Sequence, residues 1–312
     1  MTAKAGGDLR ETTVGFVGLG MMGAPMAQNV LESPRRLVAY DVAREKVEQM
    51  VRLGAEPAIS PADVASRAGI LICMVETTAQ AEAVILGSNG FVASARPADL
   101  IILMSTIDWS VVKKLHAALA AKGIDFIDAP VAGMRNNGGA RGAMLKCFAG
   151  GAAAAIERAR PVLKTMTSEI IHWGQAGNGT AFKLLNSMIL QANRIVAAEA
   201  LALGAKAGLD PAQMFEQFSN SYANSGAMAY LGPRALERNF DGIRMGITIK
   251  DVELQVALGK TLGMPTLMTS QGQHVYHMAR AMGFGDEDGA AVIKVYESWT
   301  GVPVVAGNKP ER

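Results

Sequence analysis

The sequence predicts an α/β domain built on a parallel sheet, followed by an all-α domain. From Thr12 to about Gly174, short β-branched runs alternate with longer amphipathic ones, the pattern of βαβ units around a parallel sheet. After Gly174 the strand signal stops, and Phe182, Leu185, Ile189, Ala192 and Val196 recur at three- and four-residue steps, the period of a long helix. The length agrees: 312 residues exceed one ordinary core and suffice for two. The expected organisation is a flexible leader over residues 1–11, an α/β domain over 12–174 and an all-helical domain over 175–312.

The expected strands are Val14 to Val17, Leu37 to Tyr40, Ile70 to Met74, Leu100 to Met104, Ile124 to Ile127, Leu145 to Phe148 and Glu169 to His172. Several are apolar on both faces, which suits strands covered by helices on either side. In the second half, helical stretches such as Pro211 to Phe218 and Lys250 to Leu262 are separated by Gly and Pro, with no repeat of 20 to 50 residues.

Directly after the first strand comes Gly18-Leu19-Gly20-Met21-Met22-Gly23, a GxGxxG that opens a helix carrying Met26, Ala27 and Val30. The three glycines have separate jobs: a tight turn, close approach of backbone to a pyrophosphate, and tight packing of helix on strand. The helix N-terminus offers free amides to the phosphates. The next strand ends at Asp41, about 20 residues on, where a carboxylate can accept from adenosine ribose hydroxyls and repel a 2′-phosphate. NAD is therefore expected over NADP, with Arg44 leaving room for the phosphorylated cofactor.

Composition narrows the partners. A net charge of +2 with both signs scattered shows no stripe for nucleic acid or acidic lipid. The densest apolar run, Ile70 to Val75, is strand-sized, far below the roughly 20 residues of a membrane helix. The polar N-terminus does not read as a secretory signal, so a soluble, cytoplasmic protein is expected. Cys73 and Cys147 sit in apolar runs as reduced core thiols. His274 and His277 stand three apart without a third ligand, so no metal is expected. His116 and His172 belong to no nucleophile motif.

The segment Gly18 to Asn29, GLGMMGAPMAQN, resembles the opening motif of the β-hydroxyacid dehydrogenases, the family of 3-hydroxyisobutyrate dehydrogenase and tartronate semialdehyde reductase. The likeness continues through Ser60-Pro61-Ala62-Asp63-Val64-Ala65, Ser105-Thr106-Ile107-Asp108, Asp128-Ala129-Pro130-Val131, Gly177-Asn178-Gly179 with Lys183, and Lys250-Asp251, in family order over nearly the whole chain after Thr12. The resemblance implies a Rossmann-type domain followed by an all-helical one, an active site between them, subunits joined through the helical halves, and reversible oxidation of a small 3-hydroxy acid. A homodimer or homotetramer is expected.

Within that resemblance Lys183 is the proton-transfer residue, and burial would bring a lysine from about 10.4 toward the range useful near neutral pH. Asn186 and Ser187 follow at i+3 and i+4, on the same helix face, and complete the catalytic set. Asn186 orients the substrate, while Ser187 stands where many relatives carry asparagine or glutamine. Lys250 is implied to lie near the cofactor, and Val75, Glu76 and Thr106 follow strands whose carboxyl ends line the cofactor crevice. Met74-Val75-Glu76 departs from the usual methionine, leucine, proline; Glu76 either alters cofactor preference or pairs with Arg44. After DAPV relatives continue Ser-Gly-Gly, whereas here Ala132-Gly133-Met134 is followed by an insertion within Arg135 to Gly142. With the serine hydroxyl gone, Arg135, with Asn136 or Asn137, is the candidate grip on the substrate's acid group, since a guanidinium offers two parallel donors. The alternative is a surface loop whose arginine faces water.

Two other functions share this architecture. Imine reductases resembling the family usually replace the lysine, and non-catalytic dinucleotide-binding scaffolds tend to lose it. The presence of Lys183 argues for hydroxy-acid chemistry over both.

Overall fold

Ile70-Leu71-Ile72-Cys73 is buried along its whole length because its side chains feed two different cores. In the computed structural model, which describes residues 13–133 and 140–307, Ile70 and Ile72 face one apolar layer and Leu71 and Cys73 the other. Leu100 and Ile102 divide from Ile101 and Leu103 in the same way. The period of two that places alternate side chains on opposite faces thus turns an all-apolar run into a central strand.

The chain divides into two compact units, one ending at Lys183 and one beginning at Leu184. In the first, β1 (Thr13–Val17), β2 (Arg36–Tyr40), β3 (Glu56–Pro57), β4 (Ile70–Cys73), β5 (Leu100–Leu103) and β6 (Asp125–Asp128) form one sheet in the order β3-β2-β1-β4-β5-β6. Every pairing in it is parallel. The order reverses beside β1, and the crevice beyond the strand ends at such a reversal is where α/β sheets bind ligands. Five helices connect these strands: α1 (Gly23–Leu31), α2 (Arg44–Arg52), α3 (Pro61–Arg67), α4 (Thr78–Leu86) and α5 (Trp109–Ala120). Their starts are chemically marked. Ser60 accepts from the Asp63 amide with Pro61 in the first turn, and Thr77 with Gln80 forms a capping box.

The expected strands at Leu145 and Glu169 exist but do not join that sheet. β7 (Val131–Ala132), β8 (Leu145–Ala149) and β9 (Thr167–His172) make a second, three-stranded sheet, with α6 (Ala153–Leu163) between its last two strands. Its β7–β8 pair is antiparallel and its β8–β9 pair parallel. The two-residue strands β3 and β7 are too short to leave a periodic signal, and Pro57, lacking an N–H, keeps β3 at the sheet edge.

The helix α7 (Asn178–Lys206) carries the chain from the first unit into the second. By length and composition it is apolar enough to cross a membrane, yet 44% of its most apolar window is buried in the protein. Its apolar residues are spread by the helical period instead of run together, which is why the longest apolar run in the sequence is strand-sized. In the second unit Ala198, Leu201 and Ala202 of α7 pack with Met214 of α8 (Pro211–Ser219), Leu231 of α9 (Gly226–Glu237), Ile249 and Val252 of α10 (Met245–Thr261), Tyr276 of α11 (Leu267–Ala279) and Val295 of α12 (Ile293–Thr300). A buried polar strut joins three of them: Gln255 Nε2 donates to Gln191 Oε1 at 2.6 Å, and the Tyr276 hydroxyl to the Gln191 carbonyl at 3.0 Å. α10 begins at Met245, five residues before the expected Lys250, so Lys250 lies inside the helix and not at its start.

Candidate active site

The glycine turn is built by exclusion. Gly18 has φ +101°, and a Cβ there would stand 2.1 Å from the Met74 carbonyl oxygen. A Cβ on Gly23 would stand 1.9 Å from the Gly18 carbonyl oxygen. Gly20 differs: a Cβ would meet nothing within 4 Å, so the absence of a side chain there leaves backbone bare toward open space. Among the described residues no side chain caps α1; the Ala24 amide donates to the Gly20 carbonyl at 3.0 Å, and the positive end of the helix dipole lies at this turn. Met21 is exposed and Met22 half-buried, while Leu19 is buried beneath the turn. These features fit the pyrophosphate of a dinucleotide, with backbone amides as the binding groups.

Asp41 holds the turn. Its Oδ2 accepts from the Leu19 amide at 2.6 Å and its Oδ1 from the Ala43 amide at 2.9 Å. A carboxylate has about four acceptor positions, so the same side chain retains capacity for ribose hydroxyls. Arg44 pairs with Glu48 one turn along α2, at 3.1 Å. Val75 packs against the turn, its Cγ1 3.1 Å from the Cβ position of Gly18, and its amide donates to Ser105 Oγ at 2.7 Å. The Glu76 amide donates to Gln80 Oε1 at 3.0 Å, and Glu76 is exposed just ahead of the capping box of α4. Thr106 is half-buried at the carboxyl end of β5, just ahead of Asp108, which caps α5.

Asp128 ends β6 and is fully buried. Its Oδ1 accepts from the Gly177 amide and its Oδ2 from the Thr180 amide, both at 2.6 Å. Burial pushes its pKa up, against the downward pull of those two amides. Gly177 (φ +92°) has no side chain with which to cap α7, and the distant carboxylate does so in its place. Phe182 then stacks on Trp173 with ring centres 3.9 Å apart and meets Phe148 edge-on. Lys183, half-buried, is the next residue, and within α7 Asn186 is exposed and Ser187 buried.

Ala132 lies in β7 opposite Lys146, and a Cβ on Gly133 would meet nothing within 4 Å. Met134, Arg135, Asn136 and Asn137 lie outside the described residues. Ala140 and Arg141 are anchored on α1: buried Asn29 donates through Nδ2 to the Ala140 carbonyl at 2.7 Å and accepts through Oδ1 from Arg141 at 2.6 Å, while Arg141 also pairs with Glu32. In the second unit Lys250 lies 3.3 Å from Asp251. Among the described residues no three ligating side chains gather, and His277 lies 3.3 Å from Glu253. Cys73 and Cys147 are free and buried, and burial pushes both thiols up to about 12.

Residues 13–174 match the family described as the NAD binding domain of 6-phosphogluconate dehydrogenase, and residues 177–296 match the NAD-binding region of NADP-dependent 3-hydroxyisobutyrate dehydrogenase. The chain is 36% identical over 300 residues to 2-(hydroxymethyl)glutarate dehydrogenase of Eubacterium barkeri, covering 96% of this chain and 99% of that protein. The chain belongs to the β-hydroxyacid dehydrogenase family. A second member, 3-hydroxyisobutyrate dehydrogenase of Pseudomonas aeruginosa, is 38% identical over 222 residues, 71% of this chain and 74% of its own length. Among solved structures, the Mycobacterium tuberculosis 3-hydroxyisobutyrate dehydrogenase with L-serine superposes with a TM-score of 0.83 at 31% identity, over 91% of this chain and 98% of that one. This family member is thus an NAD(P)-dependent dehydrogenase acting on the hydroxyl group of a hydroxy acid.

The sequence named the glycine turn, Asp41 and Lys183 but treated Asp128 only as a landmark and overlooked Asn29 and Arg141 as loop anchors. Asp128 was findable as a carboxylate at the carboxyl end of a strand. Its amide partners, 49 and 52 residues away, were not.

Proposed function

We propose that the enzyme prefers NAD and reversibly oxidises a small 3-hydroxy acid, of the 3-hydroxyisobutyrate kind or a three- or four-carbon polyhydroxy or sulfonated acid, with Lys183 as general acid and base. The observation that carries this reading is the placing of Lys183 in the second turn of α7, directly beyond the segment that Asp128 fixes against the end of β6. In oxidation the Lys183 amine accepts the proton of the substrate hydroxyl. The bound nicotinamide supplies the acceptor for the hydride that leaves the same carbon. In reduction Lys183 returns the proton to the carbonyl oxygen. Asn186, on the same helix, orients the substrate, and Ser187 completes the catalytic set. Ala132, Gly133, Met134 and Arg135 are the residues that receive the acid group.

Asp41 supports the NAD preference because a carboxylate repels a 2′-phosphate. Gly18, Leu19, Gly20, Met21, Met22 and Gly23 bind the pyrophosphate through their backbone, Val75, Glu76 and Thr106 border the cofactor, and Lys250 is a further cofactor-binding residue. A cytoplasmic homodimer or homotetramer completes the proposal. Leu185, Ile189, Val196 and Leu203 form an exposed apolar row on α7 at steps of four and seven residues, which suits burial against a second copy and predicts a scattering mass of two or four chains.

The deciding experiment is NAD-linked oxidation across 3-hydroxyisobutyrate, 3-hydroxypropionate, glycerate, serine, threonate, dihydroxypropanesulfonate and 2-(hydroxymethyl)glutarate, with Lys183→Ala alongside. Turnover of one acid by the native protein, lost in the variant while NADH still binds, is the expected result. Retained turnover in Lys183→Ala sinks the assignment of the lysine.

A further inference from the structure

We infer that Asp128 is a positioning residue for Lys183, locking the start of the lysine's helix to the strand that leads into the substrate turn. The inference rests on the proposed role of Lys183.

Asp128 is tied down in two directions. Its backbone pairs with Gly150 on both sides, the Asp128 amide donating to the Gly150 carbonyl at 3.0 Å and the Gly150 amide to the Asp128 carbonyl at 2.8 Å. Its carboxylate holds the Gly177 and Thr180 amides at 2.6 Å each. Three glycines make room for this arrangement. A Cβ on Gly150 would stand 2.6 Å from Asp128 Oδ1, one on Gly179 would stand 2.9 Å from the Asp128 carbonyl oxygen and 2.1 Å from that of Phe148, and Gly177 already needs its positive φ. The space admits a carboxylate and no bulk around it.

The two elements so joined are the ones the reaction has to register. Ala129, Pro130 and β7 continue from Asp128 into Ala132 and Gly133, and the first turn of α7 continues from Thr180 into Lys183, one helical step of three residues later. Ala129 is itself held by its amide on the Leu103 carbonyl at 2.7 Å, and Phe148 N–H on the Pro130 carbonyl at 3.0 Å. A helix start free to shift by an ångström would carry the amine with it, and proton transfer needs hydrogen-bond reach in a fixed geometry.

Asp128→Asn tests this, because it keeps the shape and one acceptor but turns an N–H donor toward the other amide. Rates are read by nicotinamide absorbance with the best acid of the panel, and NADH affinity by fluorescence. The expected result is a fall in kcat of about tenfold to a hundredfold with NADH affinity unchanged. In a Lys183→Ala background supplied with methylamine as proton acceptor, the same substitution then has little further effect, since its action runs through the lysine. An unchanged kcat in Asp128→Asn overturns the inference, as does an undiminished penalty in the Lys183→Ala background. Should the variant not fold, hydrogen exchange on the native protein decides: strong protection of the Gly177 and Thr180 amides is expected, and exchange at the rate of exposed loops overturns the inference. Turnover surviving in Lys183→Ala would instead remove the lysine's role, leaving that amide protection in place.

Discussion

Two glycine-containing segments of the first unit carry opposite kinds of information. In the turn from Gly18 to Gly23, the first and last glycines are forced by atoms already present, and the middle one faces open space. In the stretch after β7, a Cβ on Gly133 would meet nothing within 4 Å, and a described residue beyond it that takes a left-handed conformation is not glycine at all: Ala143 has φ +51°. The first is specified by its own steric limits; in the second, the described residues Ala140 and Arg141 are held by anchors elsewhere, Asn29 and Glu32 on α1. A glycine motif is legible in sequence when the fold leaves no other choice.

The sharpest way to break this comparison is Gly18→Ala. With both a positive φ and a 2.1 Å approach to the Met74 carbonyl, it should cost about 4 kcal/mol or more and abolish NADH binding, as read by thermal melting and fluorescence titration. Gly20→Ala should separate the two functions of the turn. Stability should stay within about 0.5 kcal/mol of native while the KM for NAD rises about tenfold or more, a loss of roughly 1.4 kcal/mol in binding. A melting temperature that falls with the affinity would show that Gly20 is structural like its neighbours.

Next in size is Asn29→Ala, which leaves the Ala140 carbonyl without its donor and should destabilise the protein by about 1–3 kcal/mol. Denaturant unfolding measures it, and no change in midpoint would mean that the anchor is not formed in solution. The smallest effect is expected from Ala143→Gly, where relief of the left-handed strain exceeds the added chain entropy of glycine and yields about 0.5 kcal/mol of stability. A loss of stability there would mean that the methyl group packs better than its backbone suffers.

The same contrast explains how far the sequence could be read. The parallel sheet was visible because runs such as Leu100 to Leu103 are apolar on both faces, and the long helix because its period changes at Gly174. The separate sheet of β7, β8 and β9 was not, since β7 has two residues and its partner choice depends on Asp128 and Gly150 meeting across the chain. Asp41 was read as a cofactor residue from its distance beyond the glycines, but its hold on the Leu19 amide is a tertiary contact that no local pattern announces. Arg135, the candidate grip on the substrate's acid group, lies outside the described residues, and Arg141, six positions on, sits where a carboxylate and a buried amide converge, a tertiary contact that charge alone does not announce.

The double engagement of Asp41 has a bearing on how such an enzyme changes over evolutionary time or in the hands of a designer. If Asp41 sets the cofactor preference, the substitution that admits a 2′-phosphate by removing the carboxylate also releases the amide of Leu19, at the centre of the turn that every dinucleotide must use. A route to the phosphorylated cofactor through that position therefore begins with a weakened grip on both cofactors. It becomes accessible only where a second acceptor for the Leu19 amide has been installed beforehand, so the order in which substitutions arrive matters as much as which ones they are.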